Sequence, residues 1–264
     1  MVDLQLKGLR ALVTGSSRGL GYAVALGLAR EGAAVALNSR DASRVAAAAE
    51  KVTAATGART VALTGDVIEA DVPAQLIAQT VDALGGLDLL VTNAGGPPPG
   101  KFESFDDATW QKAVDLSLLC HVRLIRAALP HLRASRAASV LTITSYSVKQ
   151  PIPNLVLSNS VRAATIGLTK TLALELGSEG IRFNSILPAW TETERVYELM
   201  GARARGNNTT VEDELRKQAV DSPLGRMGRP EEFANAAVFL LSPAASYITG
   251  VMLAVDGGMY KGTL

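Results

Sequence analysis

The sequence predicts an α/β fold, a parallel sheet doubly wound with helices on both faces, and two observations carry that prediction. Seven short apolar runs, near 9–14, 34–38, 60–64, 87–93, 139–145, 181–187 and 251–255, alternate from end to end with amphipathic stretches of helical period. Strands buried on both faces read as continuous apolar runs, and strand–helix alternation implies parallel pairing through crossover helices. The second observation is the break after the first run: Leu9 to Val13 gives way to Thr14-Gly15-Ser16-Ser17-Arg18-Gly19-Leu20-Gly21 and then to an alanine-rich helix. Glycines there permit positive φ and close backbone approach. A helix starting near Leu20 points unpaired N–H groups and its positive dipole end at the turn, a geometry that suits a pyrophosphate. The spacing departs from G-x-G-x-x-G, so the turn by itself names no ligand.

The helices follow in order. The stretches 20–30, 42–56 and 72–84 are closed by Gly32, Gly57 and Gly85, residues able to take the left-handed conformation that stops a helix. Longer helices are expected over 107–132 and 158–177, the latter closed by Gly177, and a last one over 231–241. With 264 residues, 48% hydrophobic content, no internal repeat and no linker, the whole of 1–264 is expected to form one domain with a sizeable core. No apolar run approaches the ~18 residues of a membrane span. A net charge of +1, from 26 basic and 25 acidic residues that are well mixed, leaves no footprint for nucleic acid or an anionic membrane surface. A single cysteine, Cys120, closes no intrachain disulfide and is expected to be a small buried hydrophobe. No signal-peptide pattern is found, so the cytoplasm is the expected compartment. No metal site is expected.

In open parallel sheets ligands lie beyond the carboxyl ends of the strands, which makes the segments after each strand the ones to read. The second strand ends in Asn38-Ser39-Arg40, where an acid would bind both hydroxyls of the NAD ribose and repel a 2′-phosphate. Ser39 and Arg40, with Arg18 nearby, instead favour NADP(H) over NAD(H), which stays possible. Asp66-Val67, after the third strand, suits the adenine amine. Asn93-Ala94-Gly95, after the fourth, lets backbone and cofactor approach each other.

Together with Gly228-Arg229-Pro230-Glu231-Glu232 and the closing Gly250…Val255-Asp256-Gly257-Gly258, these segments resemble the short-chain dehydrogenase/reductase family, in particular members similar to 3-oxoacyl-carrier-protein reductases. The resemblance spans nearly the whole chain. It implies a Rossmann fold of seven strands in the order 3-2-1-4-5-6-7, and a homotetramer or homodimer built through the helices 107–132 and 158–177. It also implies a catalytic tetrad of Asn, Ser, Tyr and Lys. Ser145, closing Leu141-Thr142-Ile143-Thr144-Ser145, matches the serine; the tyrosine position falls on Ser158, the lysine on Arg162 and the asparagine on Ser117. A phenol can be drawn toward neutrality by a neighbouring cation, whereas an aliphatic hydroxyl does not titrate in the working range. Arg162 can hold the ribose and supply charge but stays protonated.

Other donors are on offer in the loop after Ser145. Tyr146 and Lys149 stand there before Gln150-Pro151-Ile152-Pro153, and exposed loop side chains are the expected state of both. His121 and His131 are expected to be packed or surface residues rather than catalytic ones. After the sixth strand, Pro188-Ala189-Trp190-Thr191-Glu192-Thr193 stands where the family usually has Pro-Gly and backbone contacts to the nicotinamide, with Thr191 and Thr193 within reach of the cofactor. Residues 194–221 read as a lid over the substrate opening, joined by Gly96-Pro97-Pro98-Pro99-Gly100, and the five basic and five acidic residues between Glu194 and Lys217 mark a solvated helical surface.

Two functions follow. One is an NADP(H)-preferring oxidoreductase for a small carbonyl or alcohol substrate, with Ser145 orienting the carbonyl and the proton coming from Lys149, Tyr146 or a water held by Ser158 and Ser117. The other is a dinucleotide-binding protein without efficient turnover, a sensor or an inactive partner in an oligomer.

Overall fold

Residues with alternate side chains on opposite faces of a strand can be buried on both sides only if helices cover both, and the seven strands here meet that condition. The computed structural model describes residues 3–263. Strands β1 (Arg10–Val13), β2 (Ala34–Ser39), β3 (Thr60–Thr64), β4 (Leu89–Thr92), β5 (Ser139–Ile143), β6 (Arg182–Pro188) and β7 (Met252–Val255) form one sheet in the order β3-β2-β1-β4-β5-β6-β7. Every pairing is parallel. The order is the one that the family resemblance implies.

On one face Ala11, Val13, Leu89 and Val91 pack with α1 (Gly19–Arg30), α2 (Ala42–Thr56) and α9 (Pro230–Leu241) through Val24, Leu28, Val45, Phe233 and Val238. On the other, Leu12, Leu90 and Val140 meet α3 (Val72–Leu84), α5 (Cys120–Arg133) and α6 (Val156–Leu176) through Leu76, Ile77, Leu124 and Ala173. Leu89, Leu90 and Val91 thus serve alternate faces, as period two requires.

Local chemistry sets the helix ends. The Asp41 side chain accepts from Arg44 N at 3.0 Å to start α2, and Gly57 stops it with φ 70°. Gly85, φ 83°, stops α3. Gly177 does not stop α6 in this way: its φ is −61°, and the left-handed residue is Gly180 after a further short turn. The stretch expected as one helix over 107–132 is α4 (Asp107–Val114) and α5 joined by a wide π turn, Asp115–Leu119. Residues 194–221 fold as a hairpin of α7 (Glu194–Asn207) and α8 (Val211–Val220); Asn208 takes φ 53° between them, and Thr210 and Asp213 cap each other to begin α8. The far end of α9 is closed from another element: Arg182 on β6 donates to the carbonyls of Leu240, Leu241 and Ser242. Burial without a carboxylate lowers that guanidinium to about 10, and the helix's carboxyl-terminal carbonyls take the place of a counter-ion.

Candidate active-site cleft

The ends of β1 and β4 are locked together by backbone and short side chains. The Thr14 hydroxyl donates to Asn93 O at 2.7 Å and accepts from Asn93 N at 2.9 Å, while Asn93 Nδ2 donates to Gly15 O at 3.0 Å. A Cβ on Gly21 would lie 2.4 Å from Gly15 O and 2.8 Å from Asn93 Nδ2, so only glycine lets α1 sit this close to the turn. Gly15 and Gly19 have φ 57° and 61°, the left-handed region. Arg18, the residue that opens α1, makes no side-chain cap bond, which leaves the first-turn N–H groups directed at the turn. A Cβ on Gly95 would meet nothing within 4 Å.

From this turn a cleft of about 480 Å³ runs across the strand ends. Gly15, Arg18, Gly19, Leu20 and Arg40 line one end, and Asn93, Ala94 and Gly95 its floor. Ser145, Ser158 and Arg162 stand farther along, facing Pro188, Ala189, Trp190, Thr191 and Thr193. A larger hollow of about 650 Å³ between α1, α9 and the start of α7 shares Thr193 with the cleft but holds neither Ser145, Ser158 nor the Arg162 cation, so the smaller cleft is the one with chemistry to offer.

Several expected residues stand just outside the cleft lining. Ser17 is half-buried and Gly21 buried beneath the turn. The Ser39 hydroxyl accepts from Asp41 N at 3.2 Å. Asp66 accepts from Ile68 N at 3.2 Å and lies 3.9 Å from the Arg40 guanidinium, and Val67 is a core residue.

At the other end, Ser145 Oγ accepts from Ser147 N at 3.1 Å, and half-buried Ser158 lines the wall. Arg162 is committed to the strand ends: Nη1 donates to Thr144 O at 2.9 Å and Ile143 O at 3.4 Å, and Nη2 to Gly95 O at 3.2 Å. Burial, with Arg195 as a like-charged neighbour, pulls its pKa below the ordinary arginine value. Ser117 lies in the π turn outside the cleft; its hydroxyl is buried with no hydrogen-bond partner among the described residues, and its carbonyl accepts from the Thr165 hydroxyl. Lys149 is exposed, as expected of a loop side chain, and its Nζ sits 5.1 Å from the centre of the Tyr260 ring, away from the cleft.

Tyr146 corrects the sequence reading. Instead of an exposed loop residue it is buried, because Tyr146–Val148 wind into a short turn that packs the ring beside Leu187, Trp190 and Met259. Burial and nearby Asp221 raise its pKa, against the lowering effect of a hydrogen bond from Trp190. His121 is packed, as expected: its Nδ1 is 2.7 Å from the Thr92 hydroxyl, and burial beside Arg162 drives its pKa to about 3, so the ring is neutral. His131 is half-exposed. Cys120 is buried, and desolvation pushes its thiol to about 12.

Ile152, in the Gln150–Pro153 loop, lines the wall with Leu155; the sequence reading missed Leu155 and, on α7, Glu198. Glu198 Oε1 accepts from Arg18 Nη1 at 3.1 Å, and Oε2 lies 3.8 Å from Arg195 Nη1. The Arg195–Glu198 spacing of three was a legible helix pair; the partner 180 residues away was not.

The family model for enoyl-(acyl carrier protein) reductase matches residues 15–260. The 3-oxoacyl-[acyl-carrier-protein] reductase FabG of Staphylococcus aureus is 33% identical over 251 residues, 95% of this chain and 97% of that protein. This chain belongs to the short-chain dehydrogenase/reductase family. Another relative in this oxidoreductase family is the L-rhamnose 1-dehydrogenase (NAD(P)(+)) of a Sphingomonas species, 32% identical over 97% of each chain. Among solved structures, the short-chain fold here superposes on L-sorbose reductase from Gluconobacter frateurii, complexed with NADPH and L-sorbose, with a TM-score of 0.94, 32% identity and coverage of 99% of this chain and 100% of that one. Among the described residues no helix is long and apolar enough to cross a membrane.

Proposed function

We propose that this short-chain dehydrogenase/reductase binds NADP(H) in preference to NAD(H) and interconverts a carbonyl and an alcohol on a small-molecule substrate, slowly because Ser158 stands where its relatives are expected to carry the tyrosine. The observation that carries this reading is one continuous cleft that joins the glycine turn, Arg18 and Arg40 to the hydroxyls of Ser145 and Ser158.

The residues present fit a dinucleotide. The uncapped start of α1 and the left-handed backbone at Gly19 suit the pyrophosphate. Arg18, Arg40 and Ser39 suit a 2′-phosphate, with no acid at the end of β2 to repel it. Asp66 and Val67 would meet the adenine, and the open space over Gly95 admits close approach near Asn93 and Ala94. Pro188, Ala189, Trp190, Thr191 and Thr193 would border the nicotinamide. When bound, the reduced cofactor supplies a hydride. Ser145 and Ser158 hydrogen-bond the substrate oxygen and stabilise the charge that develops on it, and solvent water on these hydroxyls delivers the proton. Arg162 contributes positive potential beside that oxygen. Lys149 is too remote to donate, and Tyr146, protonated and tied to Trp190, supports the wall.

The same proposal treats 1–264 as one domain, α7–α8 as a lid, and the cytoplasm as the compartment. It takes α4–α5 and α6 as the surface of a homodimer or homotetramer, where exposed Leu174 supports contact with a second copy. A second reading, a dinucleotide-binding protein without efficient turnover, is favoured by Arg162 itself, whose fork is spent on three backbone carbonyls. Fluorescence titration with NADPH and NADH, followed by absorbance assays with ketones, sugars, quinones and acyl thioesters, separates the two. Binding with measurable turnover supports the enzyme; binding with none against every carbonyl class supports the second reading; no binding of either coenzyme defeats both.

A further inference from the structure

Arg18 carries a partner that a phosphate would have to replace. Its guanidinium is held by Glu198 of α7 at 3.1 Å, across the mouth of the cleft from the glycine turn. Arg40, the other cation at that end, lies 3.9 Å from Asp66 after β3. The Arg18–Glu198 pair is half-exposed on both sides, 46% and 51%, so it is weak and exchangeable. Glu198 also has a second cation on its own helix, Arg195, at 3.8 Å. If Arg18 leaves, the carboxylate keeps a counter-ion.

Resting on the NADP(H) reading, we infer that Glu198 is a determinant of coenzyme specificity: its carboxylate competes with the 2′-phosphate for Arg18, and so holds NADPH affinity below what the arginines alone would provide. A phosphate carries close to two charges and three acceptor oxygens, against one charge and two oxygens for Glu198, so the phosphate wins the exchange while the carboxylate subtracts from its gain. NADH lacks that phosphate and has no such competitor. The exchange also ties α7 to coenzyme occupancy, because the helix is pinned to the turn through Arg18 only while the phosphate is absent. By linkage the pin and NADPH oppose each other, so whatever loosens the pin strengthens NADPH binding.

Calorimetric titration of the full chain with NADPH, NADH and adenosine 2′,5′-bisphosphate tests this without any need for turnover. Glu198→Gln is expected to tighten NADPH and the bisphosphate by about 1.5- to 5-fold, the range of an exposed ion pair, and to leave NADH unchanged. In an Arg18→Gln background the gain is expected to vanish. Unchanged NADPH affinity in Glu198→Gln, with binding still dependent on Arg18, overturns this inference and leaves the coenzyme reading intact; equal tightening of NADH does the same. Failure of the unaltered chain to bind NADPH overturns both.

Discussion

At the glycine turn the proposed binding surface is made of backbone: positive φ at Gly15 and Gly19, a missing Cβ at Gly21, uncapped N–H groups, and the Thr14–Asn93 lock. At β5 and α6 the proposed chemistry is made of side-chain tips: a hydroxyl on Ser145, another on Ser158, a guanidinium on Arg162. The first region is also the packing of α1 on β1 and β4, so a change there disturbs the core as well as the site. The second can lose a phenol or an ammonium while α6 keeps its buried Leu157, Val161 and Thr165. Binding that is built into the fold is hard to lose without losing the fold; proton chemistry carried on single tips can change by substitution alone.

The largest expected effect comes from returning those tips. Ser158→Tyr with Arg162→Lys is expected to raise turnover by about 10²- to 10⁴-fold, the usual worth of a positioned general acid, in steady-state assays with NADPH. No gain in a folded, coenzyme-binding double variant would mean that the missing phenol does not limit the rate. Within the turn itself, Gly21→Ala and Gly95→Ala should separate packing from binding. The first drives a Cβ into Gly15 O and should cost about 1–3 kcal/mol in urea unfolding as well as coenzyme binding; the second faces open space and should weaken the coenzyme alone. Equal unfolding midpoints for the two would break the contrast. Arg40→Asp should weaken NADPH about tenfold relative to NADH by fluorescence titration, the low end of a charged hydrogen bond at an exposed site.

The smallest effect concerns the α7–α8 hairpin. Lys217, Thr209 and Asn207 hold the Glu214 carboxyl down at about 2, against an ordinary 4.5. That support is complete at neutral pH, begins to fall away below pH 4.5 and is gone once the pH passes 2. The protection factors of α8 amides, taken against the intrinsic exchange rate at each pH, should therefore fall over that window in the unaltered chain and much less in Glu214→Gln, which starts without the charge.

Much of the fold was legible because the signals were local. Gly57 and Gly85 close α2 and α3 at the expected residues, and the apolar runs located all seven strands. The π turn at Asp115–Leu119 has no comparable signature: helical period continues on both sides, and only packing against α6 shows where the turn widens. The two-helix form of 194–221 was written more plainly than it was read, since Asn208 followed by Thr210-Val211-Glu212-Asp213 is a stop and a reciprocal cap. In the candidate site, the cleft-lining glycines and Ser145 follow from strand ends and could be placed by counting. The burial of Tyr146 and the Arg18–Glu198 pair depend on segments brought together only by the tertiary fold, and nothing near either residue in the chain announces them.

The three bonds of Arg162 also bear on how such a protein can change. By gripping Gly95 on one strand end and Ile143 and Thr144 on the next, the planar fork works as a rivet across a seam. A lysine has one nitrogen and no fork, so the variant that recovers a proton donor also removes the rivet. Faster turnover, from Ser158→Tyr, and a lower melting temperature, from Arg162→Lys, should then arrive together in the double variant.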